Sequence, residues 1–181
     1  MAGQLALLFA RRLEVPVVLT DLDQERLDRG VGYVHGEIDK LLGKGRVSTD
    51  KANRLKALVS GSLTKDAFAD ADFVLEAVFE DLAVKKQVFA EVEAVVGPDC
   101  ILATNTSSLS ITEMAADLAH PERVVGFHFF NPVAVLPLLE IVRGAKTDDA
   151  TLATAFAVGR TAEEDAACWS RTRRPSSSTG C

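Results

Sequence analysis

Between Ile101 and Val142 a hydroxyl pair, an imidazole and a carboxylate stand where apolar runs end or are interrupted. Ile101-Leu102-Ala103-Thr104 leads into Asn105-Thr106-Ser107-Ser108, Val124-Val125-Gly126-Phe127 leads into His128, and Glu140 interrupts Leu138-Leu139-Glu140-Ile141-Val142. Imidazole titrates near neutrality, so His128 is a candidate general base. A carboxylate inside an apolar strand is costly without a partner, so Glu140 is expected to be paired, and a histidine that it orients is the natural choice. Each residue also has a plainer use. A histidine among apolar residues is more often a satisfied core side chain, a serine after a strand commonly caps the next helix, and an aspartate after a strand is commonly a turn residue.

The elements that must position these groups follow from periodicity. Residues 4–12 predict a helix, and Val15 to Thr20 is a β-branched run that ends in Asp21. Gln24 to Leu42 predicts a long amphipathic helix with Leu27, Val31, Val34, Ile38 and Leu41 on one face and Asp23 as its cap. Ser48-Thr49-Asp50 opens a second helix through Ala57. Strands are expected at Phe73 to Ala77, Ile101 to Thr104, Val124 to His128 and Leu138 to Val142. Helices are expected at Leu82 to Val96, from about Ile111, and over 148–158. Strands alternating with helices imply an α/β fold with a Rossmann-like, doubly wound, mostly parallel sheet, in which ligands sit beyond the carboxyl ends of the strands. Asp21, Glu80 and the Ser107 turn all fall at such ends.

Composition narrows the function classes. At 181 residues, 48% apolar and 25% charged, the chain fits one soluble globular domain. A net charge of -6 without a lysine and arginine cluster argues against nucleic acid as a partner. No apolar run approaches the ~18 residues that span a bilayer, so no membrane association is expected. The cysteines, Cys100, Cys168 and Cys181, are odd in number and lack metal-ligand spacing, which suggests a reducing cytoplasm and no metal site.

Asn105-Thr106-Ser107-Ser108, His128-Phe129-Phe130-Asn131-Pro132 and Leu138-Leu139-Glu140-Ile141, with 21 positions from Ser107 to His128 and 12 from His128 to Glu140, resemble the NAD-binding domain of the 3-hydroxyacyl-CoA dehydrogenases. The resemblance covers about residues 1–159. It implies NAD as cofactor and an acyl-CoA as substrate, within an enzyme of fatty acid β-oxidation that transfers a hydride from the 3-hydroxyl carbon to NAD. It implies further that His128 is the base, Glu140 its partner and Ser107 a hydrogen-bond partner of the substrate 3-oxygen. Ala2 stands at the third glycine position of the phosphate turn. Asp21, 19 positions later, is expected to hold the ribose hydroxyls and disfavour NADP. Glu80, Lys85, Ser107 and Asn131 are expected cofactor contacts. Glu80 and Lys85 also read as an exposed pair at a helix start, Ser108 as a structural hydroxyl, Lys86 as solvated, and His35 and His120 as surface residues. The parent protein is expected to be a homodimer or part of a multifunctional β-oxidation enzyme.

The resemblance departs at both ends. By the resemblance a first strand and two glycines of the phosphate turn belong before Met1-Ala2 and a helical domain belongs after residue 159, and both are expected to be missing. Residues 160–181 lose all periodicity and read as a disordered tail. Codons permitted for Cys168 to Cys181, read from each third base, allow Leu-Val-Lys-Asp-Ala-Pro-Ala-Phe-Val-Val-Asn-Arg-Leu. That string resembles the family's next segment and its D-x-P-[AG]-F-x-x-N-R motif, so the tail is expected to be out of frame, with the family's catalytic Asn placed near Ser178. The chain is therefore expected to be a fragment without turnover. The alternative is a non-catalytic NAD-binding protein or an inactive remnant.

Overall fold

The computed structural model describes residues 1–130 and 138–162, together with the backbone of 167–172. Helix α1 (Ala2–Arg12) precedes strand β1 (Val17–Leu19). Helix α2 (Gln24–Gly43) follows, capped by the Asp23 side chain, which accepts from the Arg26 amide at 2.8 Å. Helix α3 (Thr49–Ala57) is capped by Ser48. These caps fall where the sequence predicts them, because short polar side chains satisfy first-turn amides that have no intrahelical partner. Leu27, Val34 and Ile38 of α2 are buried, and His35, read as a surface residue, is instead half-buried with its Nε2 3.2 Å from the Lys56 carbonyl oxygen.

Strand β2 (Val59–Gly61) pairs in parallel with β1. The remaining strands form a second sheet in the order β3 (Phe73–Glu76), β4 (Ile101–Thr104), β5 (Val124–Phe129), β6 (Leu138–Arg143) and β7 (Ala167–Thr172). Helices α4 (Leu82–Glu93), α5 (Ile111–Ala115) and α6 (Asp149–Ala162) complete the fold. All pairings are parallel except β5 with β6. Residues 130–137 are too few for the crossover of about a dozen residues that a parallel return requires, so β6 comes back antiparallel.

The expected Rossmann-like arrangement is therefore present, with its sheet in two pieces: β1 and β3 are the edges that do not pair. Helix α1 joins the pieces. Its Leu5 packs with Ala103, Val125, Phe127 and Phe129 on the large sheet. Its Ala6 and Ala10 pack with Val34, Ile38 and Val59 beside the small one.

The expectation of no regular structure from residue 160 is corrected for its first part. Helix α6 continues through Arg160 to Ala162, and Ala167–Thr172 forms β7, parallel to β6. A sheet edge recruits a neighbouring segment through backbone hydrogen bonds, which require no alternating side-chain pattern. Among the described residues no helix is long and apolar enough to cross a membrane.

Candidate active site

The β5–β6 ladder places His128 directly opposite Glu140. His128 Nδ1 lies 3.4 Å from Glu140 Oε2, a long hydrogen bond, and both side chains are largely buried. Opposed residues of an antiparallel pair have side chains on the same face, so the twelve-residue separation in sequence becomes a lateral contact. The Phe130 ring lies against the imidazole, with centroids 4.7 Å apart. Glu140 thus has the partner that its apolar surroundings demand.

Ser107 sits in the turn after β4 and is not a helix cap: Ser110 caps α5 by accepting from the Glu113 amide at 3.3 Å. The turn is gathered around Glu80. One Glu80 oxygen accepts from the Thr106 hydroxyl, from the Ser107 amide at 3.1 Å and from the Ser108 amide at 3.4 Å. It also lies 3.5 Å from the Ser107 hydroxyl and 3.3 Å from that of Ser108. Burial works against ionisation of Glu80, yet the Thr106 hydroxyl, the Lys85 ammonium and the two amides together hold it below the ordinary carboxylate range. Asn105 ties this turn to the histidine strand, its Oδ1 accepting from the Phe129 amide at 2.9 Å.

Lys85 departs from expectation. Read as half of an exposed pair and as a cofactor contact, it is 0% exposed and turned into the protein. Its Nζ is 2.9 Å from each oxygen of Glu76 and 3.7 Å from Glu80. The reason is charge compensation: Glu76 is itself 4% exposed at the end of β3, and a buried carboxylate takes the nearest ammonium. The sequence reading missed Glu76, although a glutamate inside Phe73-Val74-Leu75-Glu76-Ala77 carries the same signal that singled out Glu140. It missed Thr106 as well, and Lys86, read as solvated, pairs with Asp117.

Ala2 opens α1 beside this turn, and the preceding Met1 sulfur lies 3.5 Å from Asn105 Nδ2. Met1 makes no side-chain cap, and no acidic residue stands in the first turn of α1. Asp21 lies exposed beyond β1 on the small sheet, with its Oδ1 accepting from the Leu22 amide at 2.7 Å. Leu22 and Phe79, which follow β1 and β3, are exposed apolar side chains. A helix N-terminus free of acidic side chains, an exposed aspartate and apolar surface at strand ends suit a dinucleotide's pyrophosphate, ribose and base. Asn131 lies outside the described residues.

A family model described as 3-hydroxyacyl-CoA dehydrogenase, NAD binding domain, matches residues 1–168. The fatty acid oxidation complex subunit alpha of Idiomarina loihiensis is 43% identical over 151 residues, covering 81% of this chain and 21% of the relative. That of Shewanella amazonensis is 37% identical over 160 residues, covering 88% and 23%. The chain thus spans about a fifth of the length of these curated relatives. Among solved structures, (S)-3-hydroxybutyryl-CoA dehydrogenase PaaH1 from Ralstonia eutropha superposes with a TM-score of 0.88 at 31% identity, covering 97% of this chain and 61% of that one. FadB2 of M. tuberculosis gives a TM-score of 0.86 at 34% identity, with 95% and 60% covered.

Proposed function

The chain belongs to the 3-hydroxyacyl-CoA dehydrogenase family through its NAD-binding domain, and from that premise we propose that it is the cofactor-binding and proton-transferring part of a β-oxidation enzyme. The reaction is oxidation of the 3-hydroxyl of an acyl-CoA to a ketone. The observation that most supports this reading is the pair formed by His128 and Glu140 across the β5–β6 ladder. A proton on Nδ1 lets that nitrogen donate to Glu140 and leaves the Nε2 lone pair to accept the substrate hydroxyl proton. Glu140 then stabilises the imidazolium, as a buried carboxylate does for other catalytic histidines. The Ser107 hydroxyl donates to the substrate 3-oxygen.

NAD, when bound, supplies the acceptor for the hydride that leaves C3. The first turn of α1 from Ala2 would hold its pyrophosphate, Asp21 its ribose hydroxyls, and Glu80, Ser107 and Asn131 its nicotinamide half. The acyl-CoA substrate, a cytoplasmic setting, and assembly as a homodimer or within a multifunctional enzyme belong to the same proposal.

The division of the sheet between β1 and β3 favours a second reading, a protein that binds NAD without catalysis. Calorimetric titration with NAD and NADP, followed by an assay for reduced nicotinamide with a 3-hydroxyacyl-CoA, separates the readings. NAD is expected to bind at least about tenfold more tightly than NADP, because the Asp21 carboxylate repels a 2'-phosphate. Equal affinities would overturn the role of Asp21. Turnover that His128→Ala abolishes, in this chain or in one joined to a relative's helical C-terminal domain, decides for the first reading, and binding without turnover in both decides for the second.

A further inference from the structure

Glu76 and Thr104 belong to none of the motifs above, yet they underlie the Ser107 turn. Glu76 takes both of its Lys85 contacts at 2.9 Å, accepts from the Thr104 hydroxyl at 2.7 Å and accepts from the Val78 amide at 2.5 Å. Its oxygens are therefore fully engaged in a site closed to solvent. Lys85 Nζ also lies 3.5 Å from the carbonyl oxygens of Val78 and Asn105. Among the described residues its other anionic neighbour is Glu80 at 3.7 Å, the carboxylate around which Thr106, Ser107 and Ser108 are gathered.

We propose that Glu76 is a positioning residue for the active site: by fixing the Lys85 ammonium under β3 and β4, it holds Glu80 and the Asn105 carbonyl where the Ser107 turn needs them. The inference rests on the preceding reading only in taking Ser107 as a site residue. The physical argument concerns how one cation is divided between two carboxylates. A lysine has a long, flexible stem, and its ammonium goes to whichever anion is least hydrated. Glu76, buried and bidentate, keeps the ammonium close to β3. Glu80 is thereby left with an oxygen free to accept from the turn. Without the Glu76 charge, Glu80 becomes the sole counter-ion of a buried ammonium, and the two must close on each other. The oxygen shared by the Ser107 and Ser108 amides is then drawn away from them.

A purely structural role for the buried pair would lower protection throughout the core, whereas positioning acts on the turn. The test is amide hydrogen exchange by NMR on the full 181-residue chain, comparing the parent with Glu76→Gln, which removes the charge while its amide oxygen can still accept from the Val78 amide and its NH2 can donate to the Thr104 hydroxyl oxygen. The Ser107 and Ser108 amides are expected to exchange about tenfold faster relative to Ala103 in β4, the factor associated with loss of a charge-assisted hydrogen bond. Unchanged exchange at the two serines, or acceleration equal to that at Ala103 and Val125, overturns the proposal. Should Glu76→Gln not fold, the double variant Glu76→Gln/Lys85→Met removes the cation together with its partner. With no ammonium left to draw Glu80 away, both serines are expected to keep the parent's protection, and acceleration confined to them would refute the proposal. Neither measurement uses NAD or acyl-CoA, so failure here and failure of the dehydrogenase reading are separately visible.

Discussion

Replacing Lys85 by Met removes the cation from a carboxylate that cannot reach water. The side chains of Lys85 and Glu76 are 0% and 1% exposed, with Nζ 2.9 Å from the nearer oxygen. At an effective dielectric of about 20, opposite unit charges some 4 Å between centres attract by roughly 4 kcal/mol. Breaking a buried pair by deleting one partner costs about 3–5 kcal/mol, because the survivor stays desolvated. The Thr104 hydroxyl and the Val78 amide still donate to Glu76 and offset part of the loss. Lys85→Met is therefore expected to destabilise the fold by about 3 kcal/mol, a large fraction of a typical 5–15 kcal/mol stability. Glu76→Gln/Lys85→Met leaves no uncompensated charge and is expected to lie within about 1 kcal/mol of the parent, giving a coupling of at least ~2 kcal/mol. Urea denaturation at neutral pH, followed by circular dichroism with linear extrapolation, measures both. A single-variant cost below about 1 kcal/mol, or a double variant worse than the single, would refute the reasoning.

Gly126→Ala places a Cβ 2.7 Å from Val142 Cβ, an atom bonded directly to the β6 backbone, and 3.0 Å from the end of the Ile111 side chain. A loss of about 1–3 kcal/mol in thermal or urea unfolding is expected, and an unchanged midpoint would contradict it. Asn105→Ala removes the acceptor of the Phe129 amide, so the ring nitrogen resonances of neighbouring His128 should shift while those of His35 and His120 stay put; Asn105→Asp, which keeps an acceptor, should restore local protection of the Phe129 amide. Burial pushes the Cys100 thiol up to about 11, with the Arg123 charge opposing. The raised value means that its contribution to stability is complete below the unfolded thiol pKa of about 8.5 and is lost as pH rises toward the folded value. Alkaline titration of stability should therefore decline across that window in the parent and less in Cys100→Ala, and peptide mapping after alkylation near neutral pH should find Cys100 unmodified in the native protein. Equal alkaline declines would count against it.

Much of the architecture was legible because it depends on local chemistry. Asp23 and Ser48 cap α2 and α3 as their types demand, and β4 occupies Ile101–Thr104, as its apolar run before a polar turn predicts. Strand β2 escaped notice because Val59-Ser60-Gly61 is short and mixed, and its existence depends on pairing with β1. Strand β7 escaped for the same reason: its ladder with β6 is a property of the partner edge, and no periodicity advertises it.

At the site, the sequence by itself determined which groups are present and that Glu140 needs a partner, since burying an unpaired carboxylate is prohibitive wherever the chain goes. It could not decide which acid takes which base. Glu80 and Lys85 are five positions apart and look like a pair, but Lys85 belongs to Glu76 and only leans on Glu80. That choice depends on which carboxylate is buried, and burial is settled by how β3, β4 and α4 pack together. The opposition of His128 and Glu140 likewise required β6 to run antiparallel to β5, a matter of chain direction that places residues twelve apart side by side.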